Sequence, residues 1–383
     1  MNAQLYRSRL FGLFPELGSA GGVQEAGRLT AVALHEIARE REWLLRASSL
    51  NDPAGTHSVE TGEFAVPFRG FARGKIHFSL DAIGQAALCG NRTAGAVIAA
   101  HPFLAVPARC MKAISPKLKV IVIAHGVEVW TPLSSSRRKA LLAADLILAP
   151  SQDTAEKLVH VQGVAPAKVR QLPWPLSPSL VRMAADPDTV RLPKGFPEGR
   201  VILTVGRWAA SERYKGQDEL IRAVAQLRAF VPNLFLVAVG TGDDLTRLRT
   251  LARDLEASDR VQFFENLSRE EIAGCYARAE IFALPSSGEG FGLVFLEAMA
   301  FSKPVVGASC GGTLDVVENG VNGLLVPPHN VTELGRAIAG LLQSEELRTR
   351  LGRCGSELVR REFRFETFRN RLEGFLADQG LAS

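Results

Sequence analysis

Short β-branched and aliphatic runs alternate with helix-periodic stretches along almost the whole chain, and this alternation most limits what it can fold into. Strands joined in succession through helices run parallel, and a parallel sheet must be covered by helices on both faces. The pattern is clearest in the second half. Val201–Val205 reads as a strand, and residues 217–230 follow as a helix with Leu220, Ile221, Val224 and Leu227 at helical spacing. Leu234–Val239 is the next strand and runs into Gly240-Thr241-Gly242. A helix to Glu256, a strand at Val261–Phe264, a helix opened by the capping-box pair Ser268 and Glu271, and a strand at Ile281–Leu284 continue the series. A helix over residues 292–301 follows, then short strands at Pro304–Val306 and Gly323–Val326, and beyond Thr332 the chain reads as helical nearly to its end. In the first half Leu10–Phe14, Ala96–Ala100, Val120–Ala124 and Leu146–Ala149 read as buried strands, and Gly21-Gly22 opens a helix over residues 23–38.

A chain of 383 residues is too long for one ordinary core and suits two domains of about 150–200 residues. Six prolines fall between Pro173 and Pro197, a density that excludes a regular element and places the interdomain linker there. The expected organisation is a first α/β domain over residues 1–185, a second over 186–362, and a terminal helical segment, 363–383, packed back on the first. Two such domains imply a cleft between them, the usual place for a ligand.

Hydrophobic residues make up 46% of the chain and charged residues 22%, which fits a globular protein and argues against disorder. No apolar run approaches the ~20 residues a bilayer span needs. Leu10–Phe14, although preceded by Arg7 and Arg9, is too short for the apolar part of a signal peptide. The five cysteines are odd in number and form no CxxC pair, which suits reduced thiols and a cytoplasmic location. A net charge of +5 is compatible with phosphorylated substrates, an anionic membrane surface or ordinary solvated lysines. Neither a basic stripe nor an RNA-binding motif is present, so no nucleic-acid partner is expected. The stretch over residues 64–78 mixes aromatic and basic side chains. It reads either as a strand and loop of the first domain or as a contact for a lipid-linked acceptor at the inner face of a membrane.

The densest chemical signal lies between Leu284 and Ala300, where a strand ends, a glycine-bearing loop turns and a helix begins near Gly292. Backbone N–H groups at a helix start are unpaired and carry the positive end of the helix dipole, so they suit a phosphate or a sugar hydroxyl. Gly290 and Gly292 allow close approach of the backbone to a ligand. Glu289 lies in the loop and Glu297 about a turn and a half into the helix. The two carboxylates therefore sit at different depths along one ligand and do not form an acid–base pair; Glu289 is either a ligand contact or a simple cap. Asp186-Pro187-Asp188 has the DxD spacing of a divalent-ion site but lies in the proline-rich stretch, and Asp243-Asp244 reads as helix capping. No metal and no cofactor is expected. A nicotinamide dehydrogenase would need G-x-G-x-x-G after a first strand and an acidic residue ~20 positions on, of which Gly240-Thr241-Gly242 is only a fragment.

The segment Glu289-x7-Glu297 resembles the E-x7-E motif of glycosyltransferase family 4, retaining enzymes of the GT-B fold. In that fold two Rossmann-like domains face each other across a donor-binding cleft. The resemblance extends to Gly206-Arg207 with Tyr214-Lys215-Gly216, to Pro304–Val306 with Gly311-Gly312, and to residues 319–326. In the first half, Gly21-Gly22-Val23 is similar to the family's glycine loop and His125-Gly126 to its HG element; together the match spans residues 18–370. It implies transfer of a sugar from a nucleotide-diphosphate donor to a sugar-containing or lipid-linked acceptor. Arg207 and Lys215 would clamp the donor diphosphate, Glu289 would accept from sugar hydroxyls, and Glu297 would bind the ribose. The backbone of Gly290, Phe291, Gly292 and Leu293 would hold sugar and phosphate, His125 would contact the sugar, and Gly21 and Gly22 would admit the diphosphate. A nucleotide-sugar epimerase of similar fold and a non-catalytic nucleotide or sugar binder are the alternatives. Three departures from the family pattern stand out. Asp315 replaces a frequent Glu, Phe301-Ser302-Lys303 leaves the helix without a glycine cap, and Glu265-Asn266 replaces a glycine-bearing turn near the expected base pocket.

Overall fold

The computed structural model describes residues 8–19, 21–60, 65–89 and 94–381, and Arg7 and Phe64 lie outside them. The described chain forms two units, one of residues 1–175 with 365–383 and one of residues 176–364.

The first unit is built on an eight-stranded sheet. Its strands are β1 (Ser8–Phe14), β2 (Leu44–Ser49), β3 (Gly55–Glu60), β4 (Ala65–Gly70), β5 (Ala94–Ala99), β6 (Leu118–Ile123), β7 (Leu146–Ala149) and β8 (Val169–Gln171), in the order β3-β4-β2-β1-β5-β6-β7-β8. All neighbours pair in parallel except β3, which folds back antiparallel on β4 at the sheet edge. The central strands are buried along nearly their whole length, as a sheet covered on both faces requires. Its helices are α1 (Gly22–Glu40), α2 (Lys75–Cys89), α3 (Ala105–Ile114), α4 (Ser135–Leu142) and α5 (Gln152–His160). Phe78, Ala82 and Ala86 of α2 join Ala105, Ala108 and Met111 of α3 over Val97, Val120 and Val122.

The second unit begins with α6 (Pro178–Ala185). It continues through β9 (Arg200–Val205), α7 (Gln217–Leu227), β10 (Leu234–Val239), α8 (Leu245–Asp254), β11 (Val261–Phe264), α9 (Arg269–Arg278), β12 (Ile281–Leu284), α10 (Leu293–Ala300), β13 (Val305–Ala308), β14 (Gly323–Val326), α11 (Val331–Gln343) and α12 (Glu345–Glu362). Its six strands pair in parallel in the order β11-β10-β9-β12-β13-β14. A last helix, α13 (Phe365–Asp378), belongs to the first unit and packs on α1. Arg369 bonds Glu40 and lies 3.4 Å from Glu36, Arg41 bonds Glu373 at 2.8 Å, and Phe368 meets Trp174.

Several expectations need correction. The division between units falls at Leu176, ten residues before the expected 186, and the proline-rich stretch is not a plain linker. Ser177 caps α6 by accepting from Leu180 N–H, and Pro178 takes the first helical position, where its missing N–H costs nothing. Asp244 precedes α8 but makes no side-chain cap. The helix after β9 stops at Leu227, leaving Phe230 82% exposed beyond it. Residues 65–78 form β4, a turn and the start of α2, in keeping with the strand-and-loop reading, and Phe68 and Phe78 are core residues while Phe71 packs edge-on against Phe78. The helical C-terminal region is three helices, with Ser344 ending α11 and capping α12 through Leu347 N–H.

Candidate active site

In the second sheet the strand order reverses between β9 and β12. Chain connections leave those two neighbours in opposite directions, which opens a crevice at their carboxyl ends. β9 runs out into Gly206-Arg207, and β12 runs out into the loop that holds Glu289.

The first of these loops doubles back through a short helical turn, Ala210–Lys215, ended by Gly216 in the left-handed region at φ +77°. That turn brings Arg207 and Lys215 onto one carboxylate. Glu212 pairs with the Arg207 guanidinium and lies 3.1 Å from Lys215 Nζ. Burial opposes the charge on Glu212, but the Arg207 hydrogen bond and the Lys215 charge outweigh it and hold its pKa below the usual value. The turn is fixed from outside. Ala210 N–H donates to Asp243 Oδ1 at 2.8 Å, Arg213 bonds Asp244 at 3.0 Å, and Ser287 N–H donates to Tyr214 O at 2.7 Å. Asp244 also receives Arg247, which bridges to Asp218 at 2.6 Å. The adjacent aspartates of the β10–α8 turn are therefore tethers for this loop.

The second loop rests on Gly311-Gly312. Gly312 N–H donates to Glu289 O at 2.7 Å, and a Cβ at Gly312 would stand 2.5 Å from Gly290 O, so only glycine fits the approach. Gly292 opens α10 at φ +97°, a conformation that side chains disfavour. Burial pushes the Glu289 carboxyl above its ordinary pKa, against the Lys215 charge and hydrogen bonds from the Gly290 and Phe291 backbone. Phe291 is buried and packs edge-on against Phe363, so its ring is taken up in the core. Glu297 accepts from Tyr276 Oη at 2.7 Å; Tyr276 is fully buried and stacks on Phe301. Leu293 begins the helix and is half-buried. Of the three departures, Ser302 takes the left-handed cap position at φ +55° despite its side chain, Glu265 pairs with Arg249 at 2.7 Å, and Asp315 ends a short helical turn begun by Gly311.

In the first unit Gly21 precedes α1 at φ +143° and Gly22 begins the helix. The loop before them is pinned by Asp52, which accepts from Leu17 N–H at 2.7 Å, Gly18 N–H at 2.9 Å and Ser49 Oγ. His125 follows β6. Its Nε2 faces the Ala100 carbonyl at 2.8 Å and so carries the hydrogen, its backbone N–H donates to Glu128, and its ring stacks on Trp174. The imidazole N–H that a sugar hydroxyl would meet is thus already engaged. His101 also stacks on His125, and burial and the His125 charge hold its pKa down at about 4. Asp186 only closes its own turn, accepting from Asp188 N–H at 3.2 Å.

The sequence reading overlooked Glu212, Tyr276, Asp52 and His101. Glu212 stands three residues before Lys215, a local clue; the other three lie in contact only through the fold.

Residues 191–357 match the family model described as "Glycosyl transferases group 1". The "GDP-mannose-dependent alpha-(1-6)-phosphatidylinositol monomannoside mannosyltransferase" of Mycobacterium tuberculosis is 31% identical over 272 residues, 67% of this chain and 69% of its own. The chain belongs to the group 1 glycosyltransferases. This glycosyltransferase is also 29% identical to the "D-inositol 3-phosphate glycosyltransferase" of Stackebrandtia nassauensis, over 88% of this chain and 82% of that one. Among solved structures, the sucrose-phosphate synthase of Thermosynechococcus elongatus superposes with a TM-score of 0.74 at 22% identity, over 98% of this chain and 100% of that one. Anabaena HepE in complex with UDP-glucose gives 0.72 at 20% identity, over 97% and 99%. At such identities the likeness shows the fold, which is GT-B, two α/β domains on parallel sheets.

Proposed function

We propose that this glycosyltransferase moves a sugar from a nucleotide-diphosphate sugar to a sugar-containing or lipid-linked acceptor, with retention at the anomeric carbon and without a metal. The observation that carries the reading is the convergence of Arg207 and Lys215 at the reversal point of the second sheet, beside Glu289 on the adjoining strand's loop. As the glycosidic bond breaks, the leaving phosphate gains negative charge, and the two cations meet it with charge-assisted bonds of about 1.5–3 kcal/mol each. They stabilise the transition state most where water is excluded. Glu289 positions the sugar through its hydroxyls, Glu297 binds the ribose with Tyr276 fixing its carboxylate, and the helix start at Gly292-Leu293 faces the phosphate. The leaving phosphate helps to deprotonate the acceptor on the same face, through an oxocarbenium-like transition state, so configuration is kept.

Arg207→Ala is expected to lower kcat/KM at least tenfold, a loss of ~1.4 kcal/mol. Near-normal turnover would sink the clamp. A thermal-shift panel of UDP, GDP, ADP and their sugar conjugates identifies the donor, since a ligand at about 100 times its Kd adds ~2.7 kcal/mol. The anomer formed, read by NMR, tests retention, and product analysis separates transfer from epimerisation.

The acceptor side lies at a cytoplasmic membrane face. Support comes from α2, whose outward residues include Ile76 and Leu80, 74% and 61% exposed, with Leu88 further along. Residues 69–142 hold eleven lysines and arginines against two acidic residues, while the rest of the chain holds 34 against 38. An apolar helix face within such a basic segment suits an anionic bilayer surface. Flotation with anionic liposomes tests it, and no binding removes the membrane contact.

A further inference from the structure

Glu212 lies between the two cations assigned to the diphosphate and has no part in the reaction described above. One carboxylate bridges a guanidinium and an ammonium, the arrangement a phosphate oxygen pair would adopt with the same two groups. Its side chain is 11% exposed, while the Arg207 side chain is 70% exposed, so the anion is the fixed partner and the guanidinium the one held at the surface. The backbone cannot carry Glu212 away, because the turn is bound through Ala210, Arg213 and Tyr214 to two other loops. Two cations converging without a counter-charge would repel each other and bind any diphosphate, product included, with their full combined charge.

We propose that Glu212 is a built-in counter-anion of the diphosphate subsite: it holds Arg207 and Lys215 converged while the site is empty and competes with the product nucleotide for them. It rests on the reading of those two cations as the clamp. Binding that is equally strong for substrate, transition state and product does not raise turnover, and in many enzymes product release limits it. A competing carboxylate weakens the hold on the product while leaving the cations placed for the moment at which phosphate charge develops.

The test is calorimetric titration of UDP and GDP into the full chain and its variants, with steady-state kinetics on the donor so identified. Glu212→Gln keeps the shape and removes the charge. It should bind the preferred nucleoside diphosphate about tenfold more tightly, equivalent to ~1.4 kcal/mol, with a lower KM, a lower kcat and stronger product inhibition. Glu212→Asp keeps the charge but reaches the cations less well, and should fall between wild type and Glu212→Gln. Unchanged or weaker nucleotide binding by Glu212→Gln overturns the proposal. If that variant does not fold, Glu212→Asp decides alone: tighter binding than wild type supports the proposal, and equal or weaker binding overturns it. Arg207→Ala separates the two readings. If it binds nucleotide as wild type does, the clamp itself fails; if it binds weakly while Glu212→Gln binds no more tightly, only the role of Glu212 falls.

Discussion

Glu289, the residue proposed to position the donor sugar, is buried at a cost to the fold. Burial lifts its carboxyl pKa above the unfolded value, so its ionisation at neutral pH opposes folding. Glu289→Gln is therefore expected to leave Tm unchanged or raised while kcat falls at least tenfold; a clear drop in Tm would contradict the burial argument. His101 works in the same sense through protons. Its folded pKa of about 4 lies below the ordinary 6.5, so the unfolded chain takes up the proton first. Stability should fall as pH drops from about 6.5 towards 4, by roughly 2–3 kcal/mol at most. His101→Asn, which still offers an acceptor to Phe103 N–H, should flatten that slope in melts across the range, and an unchanged slope would assign it to other groups. Arg207, Lys215 and Glu289 stand out in the sequence because each adjoins a glycine within a segment that resembles a family motif. Tyr276 was not, since it meets Glu297 across 21 residues and two elements.

At the scale of elements, the second unit's strands were readable to within a residue or two because they are short, largely apolar, buried or half-buried, and punctuated by helices. β2 and β3 were not, and for β3 the physical setting explains it. β3 is the antiparallel edge, Gly55–Glu60, largely exposed and polar, so it has no apolar run to read. α2 carries apolar residues on its outward face as well as its inward one, which blurs the helical period. The α10 end offers a test of local strain. Ser302 sits at φ +55° with its N–H bonded to Met299 O, and Lys303 N–H returns to Ala298 O. Ser302→Gly should relieve the left-handed strain and stabilise the protein by about 0.5–1 kcal/mol, less the greater freedom of glycine when unfolded. Chemical denaturation measures this, and destabilisation would mean the seryl side chain contributes a contact of its own.

At the scale of the molecule, the boundary was misplaced because prolines mark both linkers and helix starts, and Ser177-Pro178 is a helix start. The second unit is inserted into the first, which resumes only at Phe365. Phe368, Leu372 and Leu376 of α13 are buried, and each contributes about 1.5–3 kcal/mol by leaving water. Deleting residues 365–383 should therefore destabilise the first unit and spare the second. Limited proteolysis is expected to release fragments of residues 8–175 early while a 176–364 fragment persists; simultaneous loss of both would show that the units do not unfold separately.

The same insertion sets an order of events on the ribosome. The second unit emerges complete while the first still lacks the helix that covers α1 and Trp174. At about 5–20 residues per second, making residues 176–364 takes roughly 10–40 s. For that interval the α1 surface stands open, a window in which a nascent chain is exposed to chaperones or to its neighbours on the same messenger.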